Sequence, residues 1–142
     1  MKTLQADEER LYRAAAEVMA RAYAPYSRFR VGAALLAADG RIYTGCNVEN
    51  AAYPSGMCAE RGAVAAAVAQ GARQFRMLAI ATDAAEPTPP CGFCRQVLVE
   101  FSPALAVVSV GRDGAVRRFS LSELLPHAFT PASLSAGKPV RS

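Results

Sequence analysis

Two short cysteine clusters constrain this chain more than any other feature. Cys58-Ala59-Glu60 precedes an apolar stretch, and Pro90-Cys91-Gly92-Phe93-Cys94 follows it. If both clusters serve one metal ion, the fold must bring two distant segments together. Cys91 and Cys94 are one helical turn apart, so both sulfurs can reach a single ion at about 2.3 Å, and Cys58 adds a third ligand from a separate helix start. A zinc ion with three protein ligands keeps a fourth position for water, whereas a structural zinc closes it with a fourth ligand. Glu60, two residues from the first cysteine, then stands where a base is needed to take a proton from that water and return it to a substrate. The plainer reading of Glu60 is a first-turn glutamate that stabilises the helix dipole.

The cysteines admit two other readings. A structural four-thiolate site would have to recruit Cys46, but no paired Cys-x-x-Cys spacing exists on that side, and Cys46 reads as a small buried hydrophobe in the second strand. Cys91-Gly92-Phe93-Cys94 at a helix start also has the form of a dithiol redox motif, which would give Cys58 and Glu60 no work. In the metal reading, two helix N-termini lower the thiol pKa values. Three thiolates still leave one excess negative charge around Zn²⁺, and Arg61 is the nearest cation in sequence to offset it. The sole histidine, His127, lies far from both clusters and reads as a surface or interface residue.

The remaining elements follow from periodicity and turn chemistry. An acidic first turn and apolar residues at helical spacing predict a helix over 4–22, broken at Pro25. Phe29 to Leu36 reads as a mostly buried strand, and Asp39-Gly40 as the tight turn into a second strand, 41–48. A helix runs from Cys58 to a left-handed cap at Gly71. A buried strand over 77–82, a proline-rich loop over 84–90 and a helix over 91–101 follow. Residues 104–110 and 115–119 form a second, antiparallel hairpin around Arg112-Asp113-Gly114. Ser120 and Glu123 have the spacing of a capping box for a short helix stopped by Pro126. This order predicts an α/β fold with a central mixed sheet and helices on its faces. In such sheets ligands bind beyond the carboxyl ends of the strands, where both cysteine-bearing loops lie. Residues 1–129 read as one domain and 130–142 as a loosely held tail.

Composition narrows the partners. A net charge of +4 could suit a polyanion, yet the basic residues are scattered and no run of five or more occurs, so nucleic acid is not the expected partner. No apolar span of about 20 residues suggests a membrane segment, and the charged N-terminal stretch does not read as a secretory signal. The expected compartment is a reducing cytoplasm, where cysteines are metal ligands, catalytic groups or core fillers before they are disulfides.

Several motifs together resemble one family: Ala24-Pro25-Tyr26-Ser27-x-Phe29-x-Val31-Gly32-Ala33-Ala34-Leu35, Gly45-Cys46-Asn47-Val48-Glu49-Asn50-Ala51-Ala52-Tyr53, Cys58-Ala59-Glu60-Arg61, Pro90-Cys91-Gly92-x-Cys94-Arg95-Gln96-Val97-Leu98 and Leu124-Leu125-Pro126-x-x-Phe129. In combination they are similar to the small, homotetrameric, zinc-dependent cytidine deaminases over nearly the whole chain up to Phe129. The resemblance implies a three-layer α/β/α fold with a five-stranded mixed sheet, and one zinc per chain on Cys58, Cys91 and Cys94. It implies that Glu60 shuttles protons in the hydrolytic deamination of cytidine and 2′-deoxycytidine, a reaction of pyrimidine salvage. It further implies that Asn47 and Glu49 bind the ribose 3′-hydroxyl, that Phe29 packs on the pyrimidine, that the Ala59 backbone reads the base, and that Arg61 tempers the thiolates. Tyr53 and Phe129 are implied to reach a neighbouring subunit's site in a tetramer. The segment Pro54-Ser55-Gly56-Met57 departs from the Gly-Leu-Thr type of loop of many members, which leaves substrate preference open, including modified nucleosides such as blasticidin S. Independently of the family, groups that pair a substrate hydroxyl reject analogues lacking it. Asn47 and Asn50 as turn residues, with Glu49 a solvated charge, is the plainer alternative.

Overall fold

The continuous apolar run of Val31–Ala37 can be satisfied only where both faces of a strand are covered, and this strand (β1) lies inside the sheet. The computed structural model describes residues 4–136. In chain order the elements are α1 (Ala6–Met19), β1, β2 (Ile42–Cys46), α2 (Ala59–Ala69), β3 (Phe75–Thr82), α3 (Gly92–Phe101), β4 (Ala106–Val110), β5 (Val116–Ser120), α4 (Leu121–Leu124) and α5 (Pro131–Ser135). A single turn of 3₁₀ helix spans Tyr53–Ser55.

The five strands are ordered β2-β1-β3-β4-β5. β1 is antiparallel to both neighbours, β3 and β4 are parallel, and β5 returns antiparallel. Alternate residues of each strand enter two separate cores. Ala33 and Leu35 of β1, with Leu78 and Ile80 of β3 and Val107 of β4, pack against Ala59, Ala63 and Ala67 of α2 and Leu98 of α3. Ala34, Leu36, Ala79 and Val108 point the other way, against Leu11 and Ala15 of α1. The result is the expected three-layer arrangement, α1 on one face and α2 and α3 on the other.

Glycine sets how closely the layers approach. A Cβ on Gly45 would lie 2.4 Å from both the Ala59 carbonyl oxygen and the Ala63 amide nitrogen, so its absence seats the first turns of α2 directly on β2. That contact fixes the position from which Cys58 and Glu60 project.

Boundaries differ from the sequence reading in ways that have local causes. α1 stops at Met19, because Ala20 to Ala22 continue in single turns, with Arg21 N donating to Val18 O at 2.9 Å and Ala22 N to Met19 O at 3.1 Å. β1 begins at Val31, which leaves Phe29 and Arg30 in the preceding loop. Val48 lies outside β2 and forms isolated bridges to Tyr23 and Met57. α4 forms as expected, but without the capping box: the Ser120 hydroxyl pairs with Ser122 Oγ at 2.7 Å instead of capping the helix. Within the expected tail, Thr130 and Ser133 cap the short helix α5, whose residues are exposed; residues 137–142 of that tail lie outside the described residues.

Candidate metal centre and adjoining pocket

Cys58 is the N-cap residue of α2 and Cys91 that of α3, so both sulfurs sit where unpaired backbone N–H groups favour negative charge. Cys94 follows one turn into α3 and is buried. Cys91 Sγ is 3.7 Å from Cys58 Sγ and 3.3 Å from Cys94 Sγ. All three sulfurs lie within 4.8 Å of one another, and Cys46 is not part of the group. Tetrahedral ligation at about 2.3 Å needs sulfurs about 3.8 Å apart, so the donor set fits a zinc ion with only small adjustments.

The cluster is charge-poised. The Cys58 thiol is pulled down to about 5, first by its hydrogen bond from Cys94, with further help from Cys91 and Arg61. Cys94 is pushed up by the same bond, since it must keep its proton to donate, and by burial. Arg61 holds its guanidinium beside this thiolate: Nη2 donates to the Gly56 carbonyl at 3.2 Å and to Cys58 Sγ at 3.9 Å. Its outer face stands over the Phe93 ring, 5.9 Å from the centroid.

Glu60 projects from the first turn of α2 and is only 5% exposed. Burial pushes its carboxyl up to about 7, and the Cys58 thiolate adds to the rise. A carboxyl poised near neutrality can both take and give a proton at ordinary pH.

Glu60, Cys58 and Cys91 line a cavity of about 250 Å³ with Phe29, Asn47, Glu49 and Ala59, closed on one side by Ile80, Thr82 and Thr88. It lies beyond the carboxyl end of β3, where Thr82 pairs with Val31 at the start of β1, as the topology rule anticipates. The loop carrying Asn47 and Glu49 is held on both sides. Tyr23 N donates to Asn47 O at 3.0 Å and Glu49 N to Tyr23 O at 2.8 Å, while Val48 and Met57 exchange backbone bonds. The Asn47 amide bonds Phe29 O and Val31 N, and the Glu49 carboxylate accepts from Tyr26 N, Ser27 N and Ser27 Oγ. These bonds, the Ser27 hydroxyl first, hold the Glu49 carboxyl below its usual range.

Not every expected residue reaches this cavity. Tyr53 lines an adjoining open pocket of about 410 Å³ with Tyr26 and Asn50, and it is 74% exposed. Phe129 is absent from the cavity lining and is 57% exposed; Gln96 Nε2 holds its carbonyl at 2.8 Å. Cys46, expected to be buried, is half-buried, because β2 is a sheet edge. His127 is exposed, as expected.

Two contributors were missed from sequence. Arg95 donates through Nε to Pro90 O at 2.7 Å and through Nη1 to Leu124 O at 2.9 Å, anchoring the turn that presents Cys91. Ser27 lines the cavity and holds Glu49. Both stand in the motifs that carry the family resemblance, Ser27 two residues after Pro25 and Arg95 one after Cys94, but neither was given a role there.

Comparison with known proteins agrees with this geometry. Residues 5–110 match the family described as "Cytidine and deoxycytidylate deaminase zinc-binding region". A cytidine deaminase of Sporosarcina psychrophila is 45% identical over 130 residues, 91% of this chain and 96% of the relative. The crystal structure of a cytidine deaminase from Burkholderia pseudomallei superposes with a TM-score of 0.82 at 47% identity, covering 85% of this chain and 98% of that one. The Mycobacterium tuberculosis cytidine deaminase structure gives a TM-score of 0.76 at 41% identity, over 88% and 98% of the two chains.

Proposed function

The chain belongs to the cytidine and deoxycytidylate deaminase family, and on that premise we propose that it is a zinc-dependent enzyme that hydrolyses cytidine and 2′-deoxycytidine to uridine and 2′-deoxyuridine with release of ammonia. The observation that carries this reading is the buried Glu60 carboxyl beside three converging thiols, at the floor of a cavity whose rim holds Asn47 and Glu49.

Cys58, Cys91 and Cys94 would hold one zinc per chain. When bound, zinc supplies the Lewis acidity that makes water a nucleophile at neutral pH. Glu60 would take a proton from the attacking water as its oxygen bonds to C4 and deliver it to N3, then take the second proton from the new C4 hydroxyl and pass it to the N4 amine as the C4–N4 bond breaks and the C4 carbonyl forms. Arg61, beside Cys58 Sγ, offsets the negative charge of the thiolates. Glu60, only 5% exposed, is itself removed from bulk water, which strengthens these electrostatic effects.

Phe29 packs on the pyrimidine and the Ala59 backbone reads its polar edge. Asn47 has one amide hydrogen and one oxygen lone pair left after its two backbone bonds, enough to meet a sugar hydroxyl alongside Glu49. Tyr53 and Phe129, exposed and outside the chain's own cavity, fit a role in closing a neighbouring subunit's site in a homotetramer. Exposed Tyr23, Tyr26, Met57 and Phe93 support such an assembly by giving it apolar surface to cover. Free thiols suit a cytoplasmic enzyme of pyrimidine salvage, acting on a small nucleoside with neither nucleic acid nor membrane as partner. The catalytic domain is assigned to residues 1–129 and leaves out 130–142.

Mixing the purified protein with cytidine tests the reading. Absorbance near the cytosine maximum should fall as uridine forms and ammonia is released. A protein that leaves cytidine untouched but reduces disulfides, or deaminates only a modified nucleoside such as blasticidin S, would contradict it.

A further inference from the structure

The two oxygens of the Glu49 carboxylate are not equivalent. Oε1 accepts from two backbone donors, Tyr26 N at 2.9 Å and Ser27 N at 3.1 Å, which use both of its lone pairs. Among the described residues Oε2 accepts from the Ser27 hydroxyl alone, so it keeps one lone pair for a ligand. The oxygen available to a substrate is therefore the one that Ser27 holds.

Ser27 Oγ also accepts from Phe29 N at 3.0 Å, so one hydroxyl spans two groups on the cavity wall. Chain geometry makes this bridge possible. Arg28 takes φ +59°, in the left-handed region that few residues other than glycine occupy, and its amide closes a turn onto Ala24 O at 2.9 Å. That reversal folds the Phe29 amide back over the Ser27 side chain.

We propose that Ser27 is a positioning residue for sugar recognition: its hydroxyl bridges the Phe29 backbone and Glu49 Oε2, and orients that oxygen toward the 3′-hydroxyl of the nucleoside. This rests on the reading of Glu49 as the group that takes up the 3′-hydroxyl. Ser27 acts through Glu49 and does not itself touch the reacting atoms. Its loss should therefore appear in substrate affinity and sugar discrimination, with turnover at saturation little changed.

The test compares cytidine with 3′-deoxycytidine as substrates for the wild type, Ser27→Ala, Ser27→Thr, Glu49→Gln and the Ser27→Ala/Glu49→Gln double variant. Ser27→Ala should raise KM for cytidine about tenfold, the scale of one charge-assisted hydrogen bond. The preference for cytidine over 3′-deoxycytidine should shrink by a similar factor. Ser27→Thr, which keeps the hydroxyl, should restore both. The double variant should be no worse than Glu49→Gln alone, because the two residues act in series. Equal losses on both nucleosides in Ser27→Ala, or an unchanged preference while Glu49→Gln abolishes it, would overturn the role of Ser27 and leave Glu49 in place. An unchanged preference in Glu49→Gln would instead remove the reading of Glu49, and the proposal with it. Ser27 is exposed, and thermal midpoints of all variants separate loss of fold from loss of recognition.

Discussion

The side chain of Asn47 clasps the backbone on either side of Arg30: Nδ2 donates to Phe29 O at 2.7 Å and Oδ1 accepts from Val31 N at 2.8 Å. One residue thus shapes the wall that carries Phe29 and, in the proposed function, also meets the sugar. Asn47→Ala should cost about 1–3 kcal/mol of stability, since two backbone groups lose their partner. It should also lower kcat/KM for cytidine by about a hundredfold or more, as expected when a polar group of a discriminating site is removed. Free cytosine, which offers no sugar, should be a very poor substrate of the wild type. Denaturant unfolding and steady-state kinetics check the pair of effects; equal efficiency on cytosine and cytidine would contradict sugar recognition.

A second long-range pair concerns stability alone. Arg118 of β5 donates through Nε and Nη2 to Glu8 of α1 at 2.7 and 2.8 Å, joining α1 to the far edge of the sheet. Glu8 also accepts from Gln5 N at 2.8 Å and is only 4% exposed. The Arg118 hydrogen bonds hold its carboxyl below the ordinary 4.5, against the opposing effect of burial. A depressed folded-state pKa gives stability that is complete above the unfolded value and is lost as pH falls through the folded one. Glu8→Gln should therefore be less stable than wild type at pH 7 by about 1–2 kcal/mol, allowing for the half-exposed Arg118. The difference should narrow as pH falls below the ordinary 4.5 and through the lowered folded-state pKa. Urea midpoints across that range decide it; a gap independent of pH would contradict the ionic account.

These two pairs mark what was legible in the sequence. Asp39-Gly40 and Arg112-Asp113-Gly114 announced their hairpins because Gly40 and Gly114 adopt φ of +92° and +85°, which local chemistry dictates. The cysteine clusters were legible for a similar reason: one-turn spacing and helix starts are local properties. Glu8 and Arg118 are 110 residues apart, and nothing local to either residue specifies the other. Ser120 had the spacing of a helix cap and yet pairs with Ser122, since two adjacent hydroxyls compete for the same role. The capped turn at Thr130 was missed because Ser133 stands where a capping box normally has Glu or Gln. Asn47 and Glu49 were singled out, but the Ser27 hydroxyl that organises Glu49 became visible only once the loop preceding β1 was placed beside them.

Assembly is tested by subunit mixing. The exposed Phe129 ring, with its backbone held by Gln96, is outside the chain's own cavity. Phe129→Ala should keep its metal and its oligomeric state by light scattering while losing substrate affinity. Mixing it with Glu60→Gln chains should restore part of the activity, because mixed oligomers contain sites with Glu60 from one subunit and Phe129 from another. A fully active monomer, or no recovery in mixtures shown to exchange subunits, would contradict a shared site.

The most direct test of the account is metal content measured together with turnover in Glu60→Gln. Glu60 is assigned as a proton carrier and not a ligand, so the isosteric amide should leave the thiol cluster intact and remove only the proton transfer. The expected result is about one zinc per chain, as in the wild type. Turnover of cytidine should fall by at least about a hundred- to ten-thousandfold, the contribution typical of a positioned acid/base. Zinc lost along with activity, or activity retained at the wild-type level, would contradict the assignment of Glu60.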